Sequence, residues 1–365
     1  MAESLWLSAS FNQRPQRIKP QRQMMCSTVP FVKHSLLLLV LILLSGCSRM
    51  VAERIESPAQ LIHYEQATLD QMYAQWGVVE KQWCSERSSY CIPYKDGGAV
   101  TRQLPSMSFT VSRDFGNQFS FLKEVTITPR DVGQFSGTVV LLHGYGAKKE
   151  SWMSTGFYFQ ALGFRVIEPD LMGQGESSAP LGFGVRDADL LAEFIDHTVD
   201  ITEEPVYLVG HSMGALAAVK TARKLESVAG LVLLAPMDRF DRATIGVAHT
   251  FKPRLSKLVP DSSIRAGAEL ALKRAGLSVE QTDMFADLPA LNVPILTYGS
   301  DQDLVSNIRR VNGWSKLANV TRIVNDDETH MSVIGISDTE HQVLMNWLEH
   351  AGNHRPALSA ARTAQ

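Results

Sequence analysis

The sequence predicts an α/β fold in which a mostly parallel central sheet is flanked by helices and carries a helical cap insertion. Short, continuous apolar runs recur along the chain, and such runs are typical of strands buried on both faces of a parallel sheet. Helix-forming segments separate these runs, as right-handed crossovers between parallel strands require. Residues 238–288 break the alternation, because they are rich in helix formers and too long for a simple connection. This interval predicts a cap over the carboxyl edge of the sheet, where ligands bind in such folds.

The main domain is predicted over residues 106–352, and its elements follow one another regularly. The first strand alternates apolar and polar residues, as an antiparallel strand does, and the later strands are continuous apolar runs. Strands are predicted at 119–128, 138–142, 164–170, before Gly210, and at 231–235, 295–298 and 321–324. Helices are predicted at 152–162, at 187–199, after Gly214 and at 339–349, and residues 353–365 are expected to form a flexible tail.

Residues 1–46 are predicted to be an N-terminal extension and signal peptide that lies outside the fold. The apolar run Ser35–Leu44 is too short to span a bilayer comfortably and has the proportions of a signal-peptide core. It ends in Leu44-Ser45-Gly46-Cys47, which resembles the lipobox of bacterial lipoproteins. That resemblance implies acylation of Cys47, with more than one acyl chain for stable anchoring, and Ser48 implies the outer membrane facing the periplasm. A plain secretory signal or an uncleaved anchor is the alternative.

Residues 47–105 are predicted to be a leader region with one amphipathic helix over Pro58–Trp76. This leader either packs on the main domain or spaces it from the membrane. Cys84 and Cys91 are expected to form a disulfide, because an exported chain enters an oxidising compartment. A metal site at these cysteines would need two further ligands nearby, and the sequence offers none with suitable spacing.

The motif Gly210-His211-Ser212-Met213-Gly214 stands between a buried apolar run and a run of small, helix-forming residues. In such a strand–turn–helix unit the serine has a strained backbone and presents its hydroxyl at the sheet edge. The two glycines are needed because the tight crossing of strand and helix leaves no room for a Cβ atom. The alternative is a chance match in a loop, since short motifs have a real false-positive rate.

With its other motifs, the chain from about Ser106 to His350 resembles the serine hydrolases of the α/β-hydrolase fold, and less specifically the monoacylglycerol lipase and lysophospholipase type. The matching pieces occur in the order of that family, with the nucleophile first, the acid next and the histidine last. They are His143–Gly146, Asp170–Ser177, Gly210–Gly214, Gly299–Val305 and His330.

The resemblance implies that Ser212 is the nucleophile and that His330 is its general base. The acid of this family stands three residues after the strand-ending glycine, and that position is Gln302 here, which carries no charge. Aspartates flank it on both sides. We favour Asp301 slightly, because it is nearer to the rigid end of the strand, with Asp303 almost level and Asp238 as a fallback.

The oxyanion hole is predicted from backbone N–H groups, with Met213 as one donor and, by resemblance, Tyr145 as the other. The Tyr145 side chain either lines an acyl pocket or simply packs. His143 is expected to be structural, and His211 is expected to point away from Ser212. His197, His341 and His350 fall in predicted helices and have no predicted role.

The predicted function is hydrolysis of a carboxylic ester through an acyl-enzyme, with a small-molecule or lipid-like ester as substrate and with no metal or organic cofactor. Peptidase, thioesterase and carbon–carbon bond hydrolase remain open, since fold does not imply function. The formal net charge of −3 argues against a nucleic-acid binder. The alternative from another class is a non-catalytic, lipid-anchored binding or envelope protein, and Gln302 at the acid position is its only support. The oligomeric state is not predicted.

Overall fold

The computed structural model describes residues 47–60, 65–100, 106–114, 120–201, 203–225, 228–306 and 314–351. The chain divides into two units, residues 1–43 and residues 44–365, and all of the first lies outside the described residues. The predicted signal peptide and C-terminal tail therefore also lie outside them. Among the described helices, none is both long enough and apolar enough to cross a membrane.

Helices and strands alternate through most of the described chain. The helices are α1 (47–56), α2 (Gln66–Gln75), α3 (Met153–Leu162), α4 (Asp187–Thr198), α5 (Met213–Ala222), α6 (Phe240–Phe251), α7 (Pro253–Ser256), α8 (Asp261–Arg274) and α9 (Asp338–Ala351). The strands are β1 (Val78–Cys84), β2 (Cys91–Gly97), β3 (Met107–Asp114), β4 (Ser120–Ile127), β5 (Thr138–Leu142), β6 (Arg165–Pro169), β7 (Val206–His211), β8 (Val228–Leu234), β9 (Ile295–Gly299) and β10 (Val320–Val324).

Eight strands form one sheet in the order β1-β2-β6-β5-β7-β8-β9-β10, and β3 pairs with β4 in a separate two-stranded sheet. The six consecutive strands β6-β5-β7-β8-β9-β10 are parallel to one another. Strands β1 and β2 add an antiparallel hairpin at one edge, and β2 is antiparallel to β6. The predicted fold class, a mostly parallel sheet with flanking helices, is confirmed.

The core lies on both faces of this sheet, because every residue of β5, β7 and β8 is buried. Alternate side chains of β5 point to opposite faces, so Val140 and Leu142 belong to one apolar layer and Val139 and Leu141 to the other. Helices α4 and α5 cover the first layer, and α3 and α9 cover the second.

The segment before residue 106, which the sequence predicts to be a separate leader, is part of the central sheet. Strand β2 pairs with β6, from Tyr94 opposite Pro169 to Gly97 opposite Val166, so the segment predicted to be a leader supplies two strands of the central sheet. The hydrophobic pattern hides these strands because β2 carries two buried charges. Lys95 is balanced by Glu80 and Asp96 by Lys81, both from the neighbouring β1.

The predicted disulfide between Cys84 and Cys91 is present, and it joins the ends of β1 and β2 where these two residues are paired in register. The amphipathic helix predicted over Pro58–Trp76 is shorter in the structure, where α2 covers only Gln66–Gln75 and residues 58–60 are not helical. Residues 61–64 of that prediction lie outside the described residues. The closing disulfide and the pairing with β6 make the hairpin an integral edge of the sheet.

The predicted cap interval contains α6, α7 and α8. Helix α6 begins at Phe240, whose ring lies 6.4 Å from that of Tyr145, and it ends at Phe251, which is buried in the second apolar layer. Midway along α6, a Cβ atom on Gly246 would overlap the backbone of Leu304. The helix therefore crosses the carboxyl edge of the sheet, from the turn that follows β5 to the loop that follows β9.

Candidate active site

The turn between β7 and α5 places Ser212 in a strained conformation, with φ 54° and ψ −114°. A non-glycine residue at positive φ is uncommon and is typical of functional sites. The flanking glycines allow the turn, because a Cβ on Gly210 would overlap the carbonyl of Gly214, and a Cβ on Gly214 would overlap that of Leu142. The sequence motif thus forms the strand–turn–helix unit that its spacing predicts.

Ser212, His330 and Asp303 form one hydrogen-bonded chain. The Oγ atom of Ser212 lies 3.0 Å from Nε2 of His330, and Nδ1 of His330 lies 2.7 Å from Oδ2 of Asp303. All three residues are buried. Because a carboxylate accepts, Nδ1 carries the hydrogen in this pair, which leaves the Nε2 lone pair facing the serine hydroxyl.

The structure decides against the preferred aspartate. Asp301 pairs with Nη2 of Arg322 at 3.1 Å, and its N–H donates to Asp326 Oδ1 at 2.9 Å, so this residue is held on the far side of the loop. Asp238 accepts from the N–H of Arg239 at 2.7 Å and lies 3.5 Å from Nη1 of Arg242. The slight preference for Asp301 is therefore wrong for the contact with the histidine.

Asp303 reaches His330 because the loop after β9 turns once before it. The N–H of Gln302 donates to Ser300 Oγ at 3.0 Å and the N–H of Asp303 to the Ser300 carbonyl at 3.3 Å. The carboxylate also accepts from the N–H of Val305 at 2.8 Å. Burial alone would raise the pKa of Asp303, but its attraction to His330 and its hydrogen bonds outweigh burial and keep this pKa below the usual range.

His211 has a contact that sequence reasoning missed. Its Nε2–H donates to the backbone carbonyl of His330 at 2.7 Å, and the two rings lie 4.8 Å apart. Burial, assisted by the neighbouring His330, lowers the pKa of His211 to about 3, so its ring stays neutral at ordinary pH. A neutral ring here supports the loop that carries His330 without adding a second positive charge. The motif supplies no signal for this contact, which joins residues 119 positions apart.

The turn after β5 lies beside the serine, because a Cβ on Gly144 would be 3.3 Å from the Cβ of Ser212. His143 has the structural role expected for it. Its Nδ1–H donates to the Gly144 carbonyl at 2.9 Å, and its Nε2 accepts from the N–H of Leu171 at 3.0 Å. Burial lowers the pKa of His143, which keeps the ring neutral and able to accept that bond.

A network of ion pairs around the buried Lys149 stabilises the loop after β6, which contacts the turn that follows β5. Lys149 contacts Asp170 at 3.1 Å and Glu176 at 2.6 Å, and the side chains of Lys149 and Asp170 are at most 1% exposed. Burial alone would lower the pKa of Lys149, but the carboxylates around it raise this pKa above its ordinary value. The loop after β6 is thereby anchored, and its Gln174 accepts the N–H of Gly146 at 2.6 Å.

The predicted oxyanion donors lie in these two adjoining turns. Met213 is the first residue of α5, where helices leave N–H groups without intrahelical partners. Tyr145 is half-buried, and its phenol donates to the carbonyl of Ile55 in α1 at 2.8 Å. Burial raises the pKa of this phenol. The Tyr145 side chain therefore connects the turn to the N-terminal helix.

Cys47 is the first described residue, begins α1 and has a free thiol. Among the described residues, no group of three or more His, Cys, Asp or Glu side chains could hold a metal ion.

Comparison with known proteins places these features in context. Residues 139–364 match the alpha/beta hydrolase family. A 2-hydroxy-6-oxononadienedioate/2-hydroxy-6-oxononatrienedioate hydrolase of Escherichia coli is 36% identical over 117 residues, which are 31% of this chain and 40% of that protein. The "Probable lysophospholipase BODYGUARD 4" of Arabidopsis thaliana is 31% identical over 149 residues, 38% of this chain and 34% of that protein.

The chain thus spans about a third to two fifths of the length of these two curated relatives. Among solved structures, an esterase of Pyrococcus furiosus superposes with a TM-score of 0.57 at 15% identity, covering 81% of this chain and 98% of the esterase. At that identity the superposition shows the shared fold alone.

Proposed function

The chain belongs to the alpha/beta hydrolase family, and on that premise we propose that it is a serine hydrolase that cleaves carboxylic esters through an acyl-enzyme. One observation carries the proposal, namely the continuous hydrogen-bonded chain from Ser212 through His330 to Asp303. A serine hydroxyl is a weak nucleophile unless a base is adjacent to it, and this arrangement supplies the base and the group that orients it.

In the first half-reaction, Ser212 Oγ attacks the ester carbonyl carbon while its proton moves to Nε2 of His330. Asp303 stabilises the imidazolium that forms, and the N–H groups of Met213 and Tyr145 bind the developing oxyanion. The tetrahedral intermediate then collapses, the imidazolium returns its proton to the leaving alkoxide, and an alcohol departs. Water repeats these steps on the acyl-Ser212 ester, with His330 as base, and releases the carboxylic acid.

Lipid-like esters, including lysophospholipids, are the substrate class that we propose. Three features support it: the cap that covers the site, a relative named as a lysophospholipase, and the anchoring proposed for Cys47. We propose that Cys47 is acylated and holds the protein in the bacterial envelope, at the outer membrane facing the periplasm. Incorporation of an alkyne fatty acid tests this anchoring, and it should be lost in Cys47→Ala but retained in Cys26→Ala.

A fluorophosphonate probe tests the nucleophile directly, since it forms a covalent adduct with activated serines. We expect labelling of the wild-type chain and none of Ser212→Ala. An ester panel of graded acyl length then tests the substrate class. The 2-hydroxy-6-oxononadienedioate named for the bacterial relative contains no ester and is assayed separately, as a test of carbon–carbon bond hydrolysis. Folded protein without Ser212-dependent labelling would contradict the proposal and favour the non-catalytic alternative. That alternative rested on Gln302, and the hydrogen bond between the Asp303 carboxylate and His330 supports the catalytic proposal instead.

A further inference from the structure

We propose that residues 252–258, which connect α6 to α8 at the tip of the cap, form a docking surface for an anionic phospholipid bilayer. This segment, called the cap tip below, exposes Lys252, Arg254 and Lys257 together with Leu258. Leu258 is 80% exposed, the largest exposure among the large apolar side chains that the structure describes. A short basic segment that also presents an apolar side chain fits the chemistry of a membrane interface.

The charges of the cap tip are available to a partner. Within the described parts of the chain, Lys252, Arg254 and Lys257 form no ion pair. The carboxylate nearest in sequence, Asp261 at the start of α8, is bonded to His249 Nε2 at 2.8 Å. The four other arginines of the cap that the structure describes are paired within the protein, as Arg239 is with Asp241 at 3.1 Å. The cap tip therefore keeps a net positive charge, which complements anionic headgroups.

An independent argument comes from α1, which packs against α8. A Cβ atom on Gly267 of α8 would lie 2.5 Å from Val51 Cβ and 2.9 Å from the Ser48 carbonyl oxygen, so glycine permits this close approach. Further along, Arg274 of α8 pairs with Glu56 at 3.1 Å. The contacts follow the same order in both helices, since Gly267 precedes Arg274 as Val51 precedes Glu56, so the two helices run in the same direction.

The parallel arrangement puts the start of α1 at the same end of the cap as the cap tip. Helix α8 begins at Asp261, six residues before Gly267, which corresponds to roughly 9 Å along the helix axis. Cys47 directly precedes Ser48, which contacts Gly267. If Cys47 carries lipid, as proposed above, its acyl chains and the cap tip enter the bilayer on the same side. The cap above Ser212 would then face the membrane that supplies a lipid substrate.

Fluorescence at the cap tip tests the docking directly. Leu258→Cys is made in a full-chain C26S/C47S background, in which the remaining cysteines are joined as Cys84–Cys91, and it is labelled with nitrobenzoxadiazole. Vesicles of 30% phosphatidylglycerol in phosphatidylcholine should shift its emission to the blue and raise its intensity several-fold. The same label at Leu122→Cys, an exposed position on β4, should not respond.

The contribution of the charges is measured as vesicle partitioning at low salt. Each Lys or Arg near an anionic surface contributes about fivefold to binding, so K252Q/R254Q/K257Q should lose roughly a hundredfold. The matched control R87Q/R130Q/K316Q removes the same charge from exposed positions elsewhere and should bind like the parent chain. Unchanged thermal unfolding of both variants shows that the fold is intact.

The proposal is overturned if Leu258→Cys does not respond to anionic vesicles, or if Leu122→Cys responds equally. An equal loss in both triple variants, or a response that needs added protein extract in place of vesicles, would also overturn it. Partitioning is measured without turnover, so a failure of docking is distinguishable from a failure of the proposed esterase activity.

Discussion

Replacing Asp303 by Asn should remove most of the activity while it preserves the shape of the site. Asp303 is 6% exposed, and its Oδ2 lies 2.7 Å from Nδ1 of His330. An asparagine amide in this place can donate to Nδ1. The ring hydrogen then moves to Nε2, which faces Ser212 at 3.0 Å and can no longer accept its proton. The imidazolium of the transition state also loses its counter-charge.

The expected loss in kcat follows from the wrong tautomer and the missing counter-charge together. A carboxylate-to-amide change that imposes the wrong tautomer lowers kcat about 10⁴-fold, which corresponds to about 5.4 kcal/mol at 1.36 kcal/mol per factor of ten. Asp301→Asn is the matched control, because it removes a carboxylate two residues away that pairs with Arg322. Partly exposed ion pairs contribute about 1 kcal/mol or less, so this control should keep kcat/KM within about twofold.

The assay is kcat/KM on a soluble ester such as p-nitrophenyl butyrate, with fluorophosphonate labelling rates and thermal unfolding measured alongside. We expect Asp303→Asn to unfold cooperatively and to lose both turnover and rapid labelling. The reasoning is refuted if folded Asp303→Asn retains more than about a tenth of the wild-type kcat/KM. It is equally refuted if Asp301→Asn loses as much activity as Asp303→Asn does.

Three further perturbations follow from the structure. His211→Phe leaves the buried carbonyl of His330 without its donor, so kcat should fall about 10-fold to 100-fold as the loop shifts, at a cost of about 1–3 kcal/mol in stability. Glu168→Gln removes a buried carboxyl whose pKa burial raises to about 8, so stability at pH 9 should rise relative to the wild type. Cys84→Ser with Cys91→Ser should lower the free energy of unfolding by about 2–3 kcal/mol for a loop this short, with little effect on activity.

Each of these has its own measurement. For His211, steady-state kinetics should show a change in kcat with KM nearly constant, and full activity in the phenylalanine variant would contradict a positioning role. For Glu168, the folded state binds the extra proton between the unfolded pKa of 4.5 and the folded value of about 8. Wild-type stability should therefore fall with rising pH across that window and level off above it. A thermal unfolding series from pH 5 to 9 that falls equally in Glu168→Gln would contradict this account. For the cysteines, denaturant unfolding gives the stability loss.

Much of this protein could be predicted from sequence, because some features depend on short stretches of chain. Buried parallel strands such as β5 and β8 are continuous apolar runs, and the turn at Ser212 needs its two glycines wherever it occurs. Cys84 and Cys91 are close in sequence, so their pairing needs little information about the rest of the fold. Strand β2, the second strand of the sheet, was missed because its charges are buried yet paired with β1, and that pairing is invisible in a hydropathy pattern.

Tertiary structure alone decided which carboxylate meets His330. Asp301 and Asp303 differ by two residues, and a turn stabilised by Ser300 aims one at the histidine and the other at Arg322. The contacts of His211 with His330, of Tyr145 with Ile55, and of α1 with α8 join residues that are distant in the chain. Local sequence determined the buried strands and the serine turn, since backbone geometry and hydrophobic period act over a few residues. Three-dimensional packing decided the acid, the support of the histidine loop and the side of the cap on which Cys47 lies, because these depend on distances between separate elements.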